Sequence, residues 1–472
     1  MSAQNPSLRR NRELSLLILA LIVGAAAMAL VALARSTDKV ALAAPLTAVV
    51  AAGYAAAHVV MRRFARQADS LVLPLVAGLN AIGLAAIYRL APRGFGPTQV
   101  TWTAVGLACF AGTLIVVKDY RALARYKYIL GFAGVGLLLL PMTPLGAVVN
   151  GARLWVKVGG FQFQPAELAK ICLVAFFAAY LAERKELLAI ATRRIANIHV
   201  PDFKHFGPLL VMWGISLAVM FYERDLGSSL LFFSIFLLML YVATSRIVYA
   251  AFGALLFVAG AVVGYQTFSH VQARVQVWLD VFDPDLIGGP SYQLAQSLFA
   301  LATGGLFGTG LGQGRPDLIP VAETDFIFSV VGEELGLMGT VAVLLTFMLL
   351  VGRGLRVALR ATDDFGQLLA AGLTFILALQ TIIILGGVTR LMPLTGITLP
   401  FMSYGGSSIL SNFILVALLV RISDQTTSAP PPAHTAEILI GGRLGGTREG
   451  NGGRLGGTRE GNGGRLGPEA RP

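Results

Sequence analysis

The sequence predicts an all-α, polytopic integral membrane protein, a helical bundle of about twelve transmembrane helices. Hydrophobic residues make up 56% of the 472 residues and charged residues only 13%, and the mean hydropathy is +0.72. So much apolar surface cannot be buried inside a soluble globule. Twelve segments are also apolar over about 20 residues, the length that a helix needs to cross the bilayer core.

The first predicted span follows a basic N-terminal segment that contains Arg9, Arg10 and Arg12. It is about 20 residues long and lacks a cleavage site, so we interpret it as a retained helix and not as a signal peptide. The predicted spans are 14–35, 40–61, 70–90, 98–117, 128–147, 165–183, 207–223, 226–245, 247–267, 324–351, 365–389 and 399–421.

The loops differ in their content of Lys and Arg. If both termini are cytoplasmic, the cytoplasmic segments hold nearly twice as many of these residues as the outer segments. Because basic short loops stay in the cytoplasm, we predict a multi-pass protein with both termini inside. The same bias explains most of the net charge of +12. No recognition motif accompanies this charge, so we expect no nucleic acid partner.

Three regions divide the predicted chain. Residues 1–69 hold a cytoplasmic N-terminal segment and the first two helices, and residues 70–421 form the membrane core. Residues 422–472 are rich in Gly and Arg and contain the repeat GGRLGGTREGN, at 441–451 and again at 452–462. Such polar sequence cannot bury a core, so we predict a disordered cytoplasmic tail.

The longest connection is the outer segment 269–323, between the ninth and tenth spans. It is too long for a simple connector. Its apolar stretch 294–307 is too short to span a bilayer, so we expect a re-entrant or interfacial helix. A large extracytoplasmic loop that folds onto the bundle could build a site that faces the cell exterior.

Charged residues inside or at the edge of the membrane are costly and often functional. Glu167 and Lys170 lie three residues apart on one helix face, where they could neutralise each other or contact a substrate. Further candidates of this kind are Glu223, Asp225, Asp325, Glu333 and Glu334. Glu333 and Glu334 lie about 12 to 13 Å along the helix from Asp325, so we expect them to bond neighbouring helices instead.

Five strings carry a resemblance to a known family, in a consistent order along the core. They are NGARLWVKVGGFQFQPAELAK at 150–170, ERDLGSSL at 223–230, SYQLAQSLFALATGGLFGTGLGQG at 291–314, TDFIFSVVGEELG at 324–336 and PLTGITLPFMSYGGSS at 393–408. The chain resembles the SEDS family of RodA, FtsW and SpoVE. The first two helices look like an addition to that family's usual ten.

The resemblance implies a peptidoglycan glycosyltransferase for cell elongation or division. Such an enzyme polymerises lipid II, an undecaprenyl-diphosphate-linked disaccharide peptide, at the outer face of the bacterial cytoplasmic membrane. It also implies a class B penicillin-binding protein, a transpeptidase, as partner. Asp325 matches the catalytic acid of the family's HTDF string, although Glu323 stands in place of the usual His. Arg390 stands where the family often has Gly.

The chemistry of strand extension requires a base and positive charge. A carboxylate can accept the proton of an attacking sugar hydroxyl, and Asp325 is the best-placed candidate. Cations stabilise the departing diphosphate. The candidate substrate-binding residues are Arg153, Trp155, Lys157, Glu167, Lys170, Arg224, Arg274, Gln296, Ser297, Arg315 and Ser403. Lipid-headgroup contacts for the basic residues, an interfacial anchor for Trp155 and an ion pair for Glu167 and Lys170 are the structural alternatives.

A divalent cation, Mg²⁺ or Mn²⁺, is a further expectation, held by Asp325 together with the diphosphate of the substrate. Asp280, Asp283 and Asp285 could also supply oxygen ligands, or could be solvated turn residues around Pro284. No organic cofactor is expected, because the glycines at 308–312 lack the strand-turn-helix context of a phosphate-binding loop.

Two other functions fit parts of the pattern. A flippase that transports lipid II would need charges along a path through the membrane, whereas a polymerase needs its base and cations together on the outer side. The concentration of such residues around 269–325 favours the enzyme. A noncatalytic scaffold that recruits the transpeptidase would leave these residues unexplained.

Overall fold

The computed structural model describes residues 6–428 apart from positions 36, 150–151, 159–160, 191, 196–197, 202–206 and 224. The repeats of the predicted tail lie outside the described residues. The helices are α1 Pro6–Arg35, α2 Thr37–Phe64, α3 Val72–Leu90, α4 Phe95–Val116, α5 Ala122–Arg125, α6 Lys127–Leu139, α7 Ala166–Ile190, α8 Gly207–Tyr222, α9 Leu226–Thr244, α10 Ile247–Thr267, α11 Ser269–Leu279, α12 Pro284–Ile287, α13 Tyr292–Gly304, α14 Ile327–Arg360, α15 Asp364–Val388 and α16 Gly406–Ser428.

Each of the twelve predicted spans coincides with one of these helices. Within the described part of the chain, nine helices are long and apolar enough to cross a membrane. The count of twelve therefore stays a prediction, since three helices at predicted spans are not among the nine: α6 with 13 residues, α8 with 16 residues and the charged α7. Several boundaries were predicted wrongly, among them the start of α1, at Pro6 and not at 14, and the end of α14, at Arg360 and not at 351. The last helix begins at Gly406 and not at 399, and α6 stops before Pro141, because prolines interrupt both segments.

The all-α prediction missed five short strands. The strands β1 Gly146–Val149, β2 Ala152–Val158 and β3 Phe161–Phe163 form a three-stranded antiparallel sheet. A second hairpin pairs β4 Thr192–Ile195 with β5 Ile198–Pro201. The alternation of polar and apolar residues along β2 is the period-2 pattern of a strand, and its shortness hid it beside the longer helical segments.

The first two helices pack onto the remainder of the bundle. Helix α1 lies against α2 and α3, while α2 contacts α4. Helix α7 packs among α6, α9 and α15, and α16 contacts α4 and α7. The apolar side chains of α7, α15 and α16 make up much of the buried core. Buried side chains of α1 and α2, such as Val31 and Tyr54, belong to the same core, which therefore extends beyond the helices that the sequence assigns to residues 70–421.

Helix α16 continues past the predicted boundary at 421. The three regions remain predictions.

Helix α14 is broken at Gly336, whose φ is 66° and ψ −166°. The chain that follows α13 fills this break. The Leu337 amide donates to the Gly305 carbonyl at 2.9 Å, and the Met338 amide donates to the Leu306 carbonyl at 3.1 Å. Backbone groups at membrane depth need partners of this kind, because lipid offers none. The end of α13 thus pairs with the middle of a predicted span, and the re-entrant or interfacial placement of 294–307 stays a prediction.

Candidate active site

Asp325 lies in the turn that precedes α14, and a second loop, residues 393–405, holds this turn in place. The Tyr404 amide donates to the Glu323 carbonyl at 2.7 Å, and the Ser403 hydroxyl donates to the Thr324 carbonyl at 2.5 Å. A Cβ atom added to Gly396 would lie 3.8 Å from Asp325 Oδ2. Two of the resemblance-bearing strings, TDFIF and PLTGITLPFMSYGG, therefore meet at the carboxylate.

The surroundings of Asp325 favour its protonated form. Burial, the largest influence, and the Glu323 charge raise the pKa of Asp325, whose resulting value is about 6. The Thr324 hydrogen bond and the positive charge of Arg274 oppose this increase. A carboxylate with a pKa of about 6 is ionised at neutral pH and is a stronger proton acceptor than an ordinary aspartate. This property suits a general base.

Arg274, on α11, is the basic residue that acts on this carboxylate. Its Nη1 donates to the Leu394 carbonyl at 2.8 Å, which ties α11 to the loop that holds Asp325. Its charge also lowers the pKa of Asp225, whereas burial is the larger influence and raises it. Arg274 thus acts on two acids that belong to different parts of the sequence. A single cation near both is suited to an anionic ligand.

Glu167 and Lys170 form the ion pair that their spacing suggested. Their side chains are 2.6 Å apart, and both are largely buried at the start of α7. The Ser411 hydroxyl donates to Glu167 Oε2 at 2.9 Å, so α16 also stabilises the acid. The charge of Glu167 raises the pKa of Asp225, so Glu167 lies near Asp225.

Asp225 and Glu223 were noted in the sequence as edge charges without a role. Asp225 caps α9, because it accepts hydrogen bonds from the Ser228 amide at 2.9 Å and the Ser228 hydroxyl at 2.7 Å. Burial and the nearby Asp225 raise the pKa of Glu223 to about 8, so Glu223 is mostly protonated at neutral pH. The Asp-x-x-Ser spacing was the signal that could have identified the cap. The neighbouring Arg224 lies outside the described residues.

Several predicted substrate contacts are used in the fold itself. Ser403 also accepts the Leu399 amide at 2.9 Å, so its hydroxyl positions the Asp325 turn. Ser297 is fully buried and bonds Ser329 at 2.7 Å between α13 and α14. Gln296 is half-buried on α13. These arrangements favour positioning roles for the two serines.

The basic residues of the sheet and of the outer loop lie towards the surface. Arg153, Trp155 and Lys157 alternate along β2 and so project from one face of the sheet. Arg153 donates to the Thr143 carbonyl at 2.9 Å, within the same region. Arg315 has 71% of its side chain exposed and lies 3.9 Å from Asp317. These two contacts are local and do not involve Asp325, so the substrate roles of all four residues stay predictions.

Glu333 and Glu334 have separate partners. Glu334 Oε1 accepts a hydrogen bond from Arg89 of α3 at 3.0 Å, as expected for a bond between helices. Glu333 Oε1 instead accepts a hydrogen bond from the Arg315 amide at 2.8 Å. Glu333 therefore binds the outer loop and not a neighbouring helix. The sequence missed this second role, because loop backbone groups carry no side-chain signal.

Arg390 precedes the 393–405 loop and joins it to α11. Its φ is 60°, a conformation that favours glycine, which agrees with the glycine that is common at this position in the resembling family. The Arg390 Nε donates to the Trp278 carbonyl at 2.8 Å, and the Trp278 indole donates back to the Arg390 carbonyl at 3.1 Å. These bonds fix α11, and with it Arg274, against the loop.

An apolar cavity of about 570 Å³ opens beside Arg274. Its walls come from α8, α9, α10 and α11 and from Met392 to Thr395 of the loop. The lining is almost wholly apolar, with Phe221, Phe233 and Phe257 among it, and Arg274 is the one charged side chain among the described residues that line it. A cavity of this composition is suited to a hydrocarbon chain whose charged end lies at Arg274.

Replacement of Ser403 by Ala should impair the active site by disturbing the Asp325 turn, and not by removing a contact with the substrate. The variant loses two buried hydrogen bonds of the Asp325 turn, so we expect a loss of about 1 to 3 kcal/mol in unfolding free energy and a lower polymerisation rate. Ser216→Ala is the matched control, because the hydroxyl of Ser216 is equally buried but bonds Met212 of its own helix, at 2.7 Å. Equal effects of the two changes on the rate would contradict a positioning role for Ser403.

Comparisons with known proteins show the family to which this chain is similar. The family model of the FtsW, RodA and SpoVE cell cycle proteins matches residues 61–428. Peptidoglycan glycosyltransferase RodA of Mycobacterium leprae (strain TN) is 46% identical over 443 residues, which cover 92% of this chain and 94% of the relative. Probable peptidoglycan glycosyltransferase FtsW of Geobacter sp. (strain M18) is 35% identical over 375 residues, with coverages of 76% and 98%.

The fold also has a counterpart among solved structures. A chain from a peptidoglycan synthase complex, described as coordinating polymerization and crosslinking, superposes with a TM-score of 0.62 at 26% identity. The superposition covers 76% of this chain and 98% of the other. Helix α1 and α2 up to residue 60 lie outside the residues that the family model matches. The match over 61–428 and the identity to these relatives show that this chain belongs to the FtsW/RodA/SpoVE family of cell cycle proteins.

Proposed function

We propose that this chain is a peptidoglycan glycosyltransferase that polymerises lipid II at the outer face of the cytoplasmic membrane. The single observation that carries the proposal is that Arg274, whose charge acts on Asp325, lines an apolar cavity. The names of the relatives support the same activity. In this proposal the bundle has twelve transmembrane helices, both termini are cytoplasmic and the 269–323 loop is extracytoplasmic.

The reaction that we propose forms one bond and breaks one. The 4-hydroxyl of one sugar attacks the anomeric carbon of another, and Asp325 accepts the hydroxyl proton. The bond between the anomeric carbon and the diphosphate oxygen breaks, and the lipid diphosphate leaves with the bonding electrons. Arg274 stabilises the negative charge of this leaving group. The lipid chain of a substrate lies in the 570 Å³ cavity.

A divalent cation is a proposed cofactor. Among the described residues, no three His, Cys, Asp or Glu side chains cluster closely enough to hold a metal ion. Asp283 is also engaged, since it accepts the Asp285 amide at 2.8 Å. An ion would therefore take most of its oxygen ligands from the substrate diphosphate, with Asp325 as the contribution of the chain. Its role would be to offset charge on the leaving group.

The partner that we propose is a class B penicillin-binding protein that crosslinks the new strands. The solved chain that resembles this one belongs to a complex that couples polymerization with crosslinking. A transpeptidase at the outer face would receive strands directly as they leave the polymerase.

Purified full-length protein, alone and with its transpeptidase partner, should convert lipid II into glycan strands that are visible by gel electrophoresis. An Asp325→Asn preparation controls for contaminating polymerases. Movement of labelled lipid II across proteoliposomes without strand synthesis would contradict the proposal and favour the flippase. Lack of both activities in folded, partner-bound protein would favour a scaffold.

Excess EDTA should lower the polymerisation rate, and added Mg²⁺ or Mn²⁺ should restore it. We expect a loss of at least tenfold, because the leaving diphosphate carries several charges into a partly desolvated site. The same titration on the Arg274→Ala variant tests whether the ion and the arginine share this task. Full polymerisation in excess EDTA would leave the basic side chains as the only neutralising groups.

A further inference from the structure

Helix α1, which the family model does not match, touches the outer loop that leads to Asp325. A Cβ atom added to Gly312 would lie 2.5 Å from the Cβ of Ala34, near the end of α1. Leu311 lines an apolar cavity of about 330 Å³ together with Leu30 and Val31 of α1. The loop therefore lies directly on the added helix, with no side chain between them at Gly312.

The loop segment 308–315 is fixed on its other side by the two acids of α14. The Gly312 amide donates to Glu334 Oε2 at 2.9 Å, and the Arg315 amide donates to Glu333 Oε1 at 2.8 Å. Arg89 of α3 bonds both Glu334 and the Gly314 carbonyl. The segment is thus held between α1 and these carboxylates.

The acids and Asp325 lie at opposite ends of one short helix. The break at Gly336 separates residues 327–335 from the remainder of α14, as a short helix about 13 Å long. Asp325 precedes this short helix, and Glu333 and Glu334 lie at its far end. A displacement of the loop would pull on these two acids through their hydrogen bonds and would shift the short helix. The other end of this helix sets the position of Asp325.

We propose that α1 positions Asp325, by holding the 308–315 loop against the short helix that Asp325 precedes. The added N-terminal helix is then part of the support of the active site and more than a membrane anchor. This inference depends on the proposed catalytic function of Asp325. The charged groups that act on that carboxylate are Arg274 and Glu323, and both are remote from α1 in sequence.

Gly312→Ala tests the contact, and Gly310→Ala is its matched control. Both glycines have positive φ, 80° and 102°, so both changes strain the same loop. Only the methyl group at 312 meets α1, whereas at 310 the nearest atom is Gln313 Cγ at 3.5 Å. We expect Gly312→Ala to lower kcat roughly tenfold more than Gly310→Ala, since overpacking of a tight contact displaces the loop.

The pH profile and a second-site change separate positioning from general instability. In Gly312→Ala the acid limb of kcat/KM, which reports the substrate-free enzyme, should move below pH 6, because a displaced Asp325 is less buried. Ala34→Gly should raise kcat of Gly312→Ala to about the level of Gly310→Ala, because it removes the clash and leaves the backbone strain, and it should not raise kcat of Gly310→Ala. Equal losses in the two single variants at equal melting temperatures, or no rescue, would overturn the inference. An inactive wild-type protein would instead contradict the proposed function.

Discussion

Asp325→Ala should lower the rate of strand synthesis by a factor of about 10² to 10⁴, the usual contribution of a general base. The charged residue that acts on Asp325 with the opposite sign is Arg274, which cannot accept a proton in its place. Asp325→Asn should fail equally, because an amide keeps the shape of the carboxylate and removes its basicity. Polymerisation of lipid II by purified variants measures the effect.

Glu323→Gln is the matched control for this experiment. Glu323 is adjacent to the Asp325 turn, and it is the Glu323 carbonyl that is bonded to the loop. Loss of its carboxylate should therefore change the rate by less than about tenfold. Near-normal strand synthesis by folded Asp325→Ala protein would show that the carboxylate is not the base.

The pKa of about 6 adds two consequences with opposite signs. The rate should fall as the pH drops through about 6, because protonated Asp325 accepts no proton. Stability should change in the other direction. The pKa of Asp325 in the folded state is raised above 3.8. Protonation of Asp325 therefore stabilises the folded protein fully below pH 3.8, and this contribution is lost as the pH rises through about 6. At a pH well above 6, Asp325→Asn should therefore melt no lower than the wild type.

Glu167→Gln and Lys170→Met should each destabilise the protein by about 3 kcal/mol, because each leaves one buried charge without its partner. The double variant should lose much less than the two single losses added. The Ser411 hydrogen bond to Glu167 does not replace the ammonium group, since it supplies no positive charge. Thermal melting of the three variants in the same detergent measures the coupling.

An exposed pair provides the comparison. Lys185 and Asp364 are also 2.6 Å apart, but 41% and 50% of their side chains are exposed. Water screens such a pair, so its double-variant cycle should show coupling of at most about 1 kcal/mol. Strictly additive losses at Glu167 and Lys170 would show that the buried residues do not stabilise each other.

The sequence was sufficient to predict where the long helices lie and to predict contacts between residues that are close in sequence. The length of the apolar segments identified a helix at every predicted span. The Glu167–Lys170 pair followed from its spacing of three on one helix. The resemblance supplied Asp325 as a candidate, and the raised pKa gives an independent physical reason for the same choice.

The remaining features depend on contacts between distant residues, which a single sequence does not encode locally. Ser403 reaches the Thr324 carbonyl across 79 residues, so its positioning role could not be separated from a substrate contact. The break at Gly336 exists because the chain after α13 bonds the interrupted helix. The strand β2 was too short to be distinguished from a loop beside long apolar helices.

The ion pair between Arg89 and Glu334 has a consequence for biosynthesis. The two residues are 245 positions apart, so Arg89 is synthesised roughly 12 to 50 s before its partner at about 5 to 20 residues per second. During this interval an arginine inside lipid would cost about 3 kcal/mol. Its place in the last turn of α3 lets the side chain extend to interfacial water while it waits. The pair can form only after α14 has entered the membrane, so a charge change at either residue should leave early insertion intact and arrest the bundle at a late step of its assembly.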